Sequence, residues 1–153
     1  MIRILFIVTF FFSTNLYAPE ILIRPSEKNP ITAYIDGSMD MKGKEHFYFQ
    51  RCVALQLSLV EANKQDFDLD LELLTEKAKR TYDYGLRIMQ KNLSHQDKDY
   101  VKNSFRKTIN QYMIYYLEDM YNNRKKFGHY LADSYLLQEM AVCIEPGAEF
   151  REF

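Results

Sequence analysis

Two cysteines, three histidines and a short run of alternating aspartates are the residues of this chain whose types could do chemistry, and their spacing limits each of them. Cys52 and Cys143 lie far apart and form no Cys-x-x-Cys motif, so nothing in the sequence holds one thiol beside the other and lowers its pKa for redox exchange. In an oxidising compartment two such cysteines pair most economically with each other, and a Cys52–Cys143 disulfide is expected. His46, His95 and His129 belong to no His-x-x-x-His or Glu-x-x-His pair, which leaves a metal ion without convergent ligands. His129 and Asp133, four apart, read as a pair at a helix junction. Asp66, Asp68 and Asp70 alternate like the opening of a calcium loop, yet Leu71 replaces the glycine and Lys77 the bidentate glutamate that such a loop requires. No metal site and no cofactor is therefore expected.

Catalytic patterns are equally sparse. A nucleophile needs a base beside it, and neither a Gly-x-Ser-x-Gly elbow nor a cysteine-protease pattern is present. Carboxylates are too common here for spacing alone to single out a glycosidase pair. There is no Cys-x-x-Cys-His haem attachment, although a non-covalent pair such as His46 with Met89 or Met140 has the right atoms for haem. Core methionines ordinarily fill space. The expectation is a protein without enzymatic activity.

The N-terminal segment says more about where the chain works. Arg3 precedes the apolar run Ile4 to Phe12, which gives way to the small and polar stretch Ser13 to Ala18. This is the layout of a secretory signal peptide, and it predicts removal of residues 1–18 and residence in the periplasm or outside the cell. The apolar run is too short for a permanent membrane anchor. Basic and acidic residues nearly balance, 20 against 21, which disfavours nucleic acid and other polyanions as partners because those require clustered positive charge.

Between the ends the chain reads as one helical domain. Residues 19–38 form an extended arm, since Pro25 and Pro30 bias their predecessors away from helix and Asp36-Gly37 signals a turn. Residues 39–145 form the bundle, and residues 146–153 a polar C-terminal tail after Glu145-Pro146-Gly147. The first helix is expected from about Met41 to Lys64, with Tyr48, Cys52, Leu55 and Leu59 on one face and Gln56 as a core amide beside them. A second follows Asp70 as its cap, with Leu69 and Leu74 as a hydrophobic staple. Leu71, Leu74, Ala78, Tyr82, Gly85 and Met89 form its inward stripe, where Gly85 marks close approach of a neighbour.

The third helix is expected to follow a capping box at Ser94 to Asp97, to bury Val101, Phe105, Ile109, Tyr112, Tyr116 and Met120, and to end at Gly128. The basic run Asn122 to Lys126 suits the negative end of its dipole. A shorter fourth helix runs from about Leu131 to Cys143, carrying Tyr135, Leu136 and Met140. The predicted fold is an all-α up-and-down bundle of three long helices and one short C-terminal helix, with an N-terminal arm and one disulfide.

The back of the third helix carries a second apolar set, Ile114, Leu117 and Tyr121, at steps of three and four. This set is the candidate interaction surface for another protein or a second copy of the chain, unless the arm or the fourth helix covers it. An exported, compact, disulfide-linked bundle acting through protein contacts fits an inhibitor or immunity-type role. The alternative is a carrier holding a small hydrophobic ligand or haem between its helices.

Overall fold

The computed structural model describes Ile31, residues 42–64 and residues 70–143. The signal segment, the arm apart from Ile31, the stretch Gln65 to Leu69 with its half of the proposed staple, and the tail beyond Cys143 lie outside the described residues. Among the described residues there are four helices: α1 (Glu45–Ala62), α2 (Leu71–Asn92), α3 (Lys98–Phe127) and α4 (Ser134–Cys143). Among the described residues there is no strand, and no helix is long and apolar enough to cross a membrane.

Local chemistry sets the helix limits. α1 starts four residues later than its periodicity suggests, because Lys42 to Lys44 form a turn in which Gly43 takes a φ of 75°, a conformation costly for side chains with a Cβ. It ends at Asn63, whose backbone N–H and side-chain Nδ2 both donate to the Leu59 carbonyl, at 3.0 and 2.8 Å. Asp70 caps α2 as expected, accepting from the Leu73 N–H at 2.9 Å. The expected cap of α3 is wrong by three residues. Ser94 lies exposed in the preceding turn, and Asp97 is the N-cap, its Oδ1 accepting from the Tyr100 N–H at 2.9 Å. Gly128, at a φ of 85°, then closes α3 through an N–H to the Arg124 carbonyl. α4 begins at Ser134 instead of Leu131, since residues 128–133 form the turn out of α3.

α1 is the axis of the bundle. It packs against each of the other three helices, and α2 also packs against α3. Its burial is correspondingly broad: Tyr48, Phe49, Cys52, Val53, Leu55 and Leu59 are enclosed, and so are the polar side chains Gln50, Arg51, Gln56 and Ser58. The six inward residues expected on α3 are all buried, as are Ala78, Gly85 and Met89 on α2. Gly85 sits directly against α1 and α3: a Cβ there would overlap Phe49 Cβ and stand 2.9 Å from Phe105 Cζ. Absence of that atom lets the α2 backbone reach the aromatic core, which offsets glycine's poor helix propensity of about 1 kcal/mol.

The disulfide joins Cys52 of α1 to Cys143 at the end of α4, with Cα atoms 5.1 Å apart and a sequence separation of 91. Both cysteines are fully buried.

Candidate interaction surface

The candidate surface is the outward face of α3. At about 100° per residue, Ile114 and Tyr121 stand nearly above one another and opposite the buried stripe Tyr112, Tyr116, Met120. Ile114 is 63 % exposed and Tyr121 51 %. Leu117 differs: it is half-buried and packs against the core from the flank of the helix. The three residues grouped by sequence spacing thus divide into two exposed positions and one that also supports the fold.

Tyr121 is held by the turn between α3 and α4. Tyr130, in that turn, meets it edge to face at a centroid distance of 6.0 Å. Arg124 lies 4.7 Å over the Tyr130 ring and donates from Nη1 to its hydroxyl. Buried Asn123 donates from Nδ2 to the Tyr130 carbonyl at 3.1 Å.

Beneath this surface, α3 helps build a buried polar cluster that spacing did not single out. Arg51 of α1 donates from Nη2 to Glu139 Oε1 of α4, and the Tyr116 hydroxyl of α3 donates to Glu139 Oε2. Arg51 is 0 % and Glu139 1 % exposed. The carboxylate is therefore shared between a guanidinium and a phenol from two other helices. Close by in sequence, Gln56 donates from Nε2 to the Cys143 carbonyl at 2.6 Å, while its Oε1 is buried with no partner among the described residues. The expected core amide is half satisfied. Tyr135 of α4 donates to Asp119 of α3; burial, and then that hydrogen bond, hold its hydroxyl well above the ordinary phenol range.

The histidines are dispersed. His46 is buried near the start of α1, where desolvation lowers its pKa and neighbouring Glu45 partly opposes the shift. His95 and His129 are exposed in two different turns, and among the described residues His129 makes no ion pair with Asp133, because the intervening turn is not helical. No cluster of three or more metal-ligating side chains occurs among the described residues. Glu45 accepts from Asn92 Nδ2 at 3.0 Å, which brings the start of α1 to the end of α2 that carries buried Met89; Met140 is half-buried on α4.

No protein-family model, curated protein or solved structure matches this chain. The functional reading rests on its own residues.

Proposed function

We propose that this is an exported helical protein that acts by binding another protein through the outward face of α3. The observation that carries the reading is the exposure of Ile114 and Tyr121 on a face turned away from the core. Isolated apolar side chains on a surface are ordinary, but an isoleucine and a tyrosine stacked on one rigid helix offer contact area at little conformational cost. Export is supported by the signal-like N-terminal segment and by a buried disulfide, a bond kept in oxidising compartments. A small, covalently tied bundle of this kind suits an inhibitor or immunity-type protein that blocks a partner by occupying its surface. The reading assigns the chain no reaction of its own.

The test is native, non-reducing mass spectrometry of protein secreted with its own leader, beside an Ile114→Glu variant. Ile114 is the informative position because Leu117 also contacts the core. A processed, oxidised chain in a stoichiometric complex with a second polypeptide, or with itself, is the expected result, and the variant loses the complex while keeping its helical circular dichroism. An unprocessed chain with free thiols overturns export. A complex indifferent to Ile114→Glu overturns the surface.

A second reading, a carrier of a small hydrophobic ligand or haem, has one observation in its favour: His46 is buried and its Nδ1 has no partner among the described residues. A bound small molecule, seen as colour or added mass after native purification, would put it first.

A further inference from the structure

α4 is fastened to the bundle mainly by polar groups. Of its ten residues three are buried, Leu136, Glu139 and Cys143, and only the first has a hydrocarbon side chain. Tyr135, Met140 and Val142 are half-buried beside it, and among the helices α4 packs chiefly on α1. The bonds from α1 fall on Glu139 and the two residues at the end of the helix. Arg51 pairs with Glu139, the Tyr48 hydroxyl donates to the Val142 carbonyl at 3.4 Å, Gln56 donates to the Cys143 carbonyl, and Cys52 carries the disulfide. Two of the carbonyls that a helix leaves open at its C-terminal end are thus closed by side chains of its neighbour.

These bonds position α4 more than they retain it. Water replaces the hydrogen bonds to the two carbonyls at small net cost, and a buried ion pair gains little over its two hydrated halves. A ten-residue helix is marginal in water by itself. The other helices do not depend on it: α1 packs on α2 and α3, α2 packs on α3, and Phe49, Gly85 and Phe105 close-pack among those three. What retains α4 is one buried leucine, its half-buried neighbours and the covalent bond.

We infer that α4 is a redox-held latch: reduction of Cys52–Cys143 releases α4 from a three-helix bundle that stays folded, and lays Arg51 and Tyr116 open to solvent. The reductant is a dithiol. One of its thiolates bonds to one cysteine sulfur, the Cys52–Cys143 bond breaks, and the other cysteine leaves as a thiolate that takes up a proton. The second thiol of the reductant then displaces the first from the mixed disulfide, freeing the remaining cysteine as a thiol and closing the reductant's own disulfide, so that two electrons and two protons pass to the protein. Both cysteines are fully buried, so the attack waits on a transient opening of α4, and the contacts of Glu139 with Arg51 and Tyr116 set how often that occurs. The latch is independent of the outward face of α3.

The test is amide hydrogen exchange of the oxidised chain and of the chain held reduced in dithiothreitol. Exchange in Ser134 to Cys143 is expected to speed up by at least about tenfold on reduction, while Val101 to Ile109 keep their protection. The reduced Arg51→Met/Glu139→Leu variant should keep α4 protected, because apolar side chains lose by entering water where charged ones are hydrated. A second measurement reads the opening itself: dithiothreitol reduction of oxidised Glu139→Gln, trapped by alkylation and weighed, is expected to run about tenfold faster than that of the parent chain. Unchanged exchange in α4 on reduction overturns the inference. Loss of protection in all four helices together also overturns it, since the bond would then be a staple of the whole fold. A reduced double variant whose α4 exchanges as fast as the reduced parent's, or equal reduction rates for Glu139→Gln and parent, would refute the part given to the buried charges.

Discussion

Arg51 and Glu139 form an ion pair sealed between α1 and α4, each about one helical turn or less from a cysteine of the disulfide. Desolvating two charges is expensive, and the pair persists because the second carboxylate oxygen also receives the Tyr116 hydroxyl. Removing one partner strands the other. Glu139→Ala or Arg51→Met is expected to lower unfolding free energy by about 3–5 kcal/mol, while the joint replacement Arg51→Met/Glu139→Leu recovers most of that loss. Urea denaturation of the three variants checks this; equal losses in the single and joint variants would refute the coupling.

Gly85→Ala should destabilise the bundle although alanine is the better helix former. The added Cβ meets Phe49 and Phe105, and overpacking of a tight core costs about 1–3 kcal/mol, more than the helix propensity gained. Thermal unfolding at matched conditions gives the sign directly.

The two candidate caps of α3 are separated by a pair of substitutions. Asp97→Ala should cost about 1 kcal/mol because the Tyr100 N–H loses its acceptor, whereas Ser94→Ala, at an exposed turn position, should be near neutral. Chemical denaturation ranks them.

Stability should fall at both ends of the pH range for identifiable reasons. Burial holds His46 below its ordinary value of 6.5, so the unfolded chain takes up this proton first on acidification. The contribution is complete above pH 6.5 and declines as pH drops below it. Tyr135 is shifted upward, so the unfolded chain releases its proton first, and stability declines as pH rises past 10.0. Denaturation series at several pH values should show His46→Gln flattening the acid limb and Tyr135→Phe the alkaline one.

Much of the architecture was legible because it follows from periodicity. The stripe from Val101 to Met120 keeps one register through α3, and Asp70, Gly85 and Gly128 announce a cap, a close approach and a stop through their residue types. The disulfide followed from there being only two cysteines. The charged interior escaped. Arg51 and Glu139 look like solvated helix positions by type, and only their neighbours betray them. Arg51 lies three residues after Tyr48 and four before Leu55; Glu139 lies three after Leu136 and four before Cys143. Each charge occupies a place in an apolar stripe, and two such charges of opposite sign are the readable signal of a buried pair.

The Cys52–Cys143 bond also changes the topology of the backbone. It closes a covalent ring that holds the latter half of α1 and the whole of α2, α3 and α4. A single peptide-bond cleavage anywhere inside that ring opens it without dividing the molecule, because both new ends stay tethered through sulfur. A protease that nicks a connection between helices therefore leaves two polypeptides joined through sulfur, and they part only after a reductant reaches a bond buried in the middle of the fold.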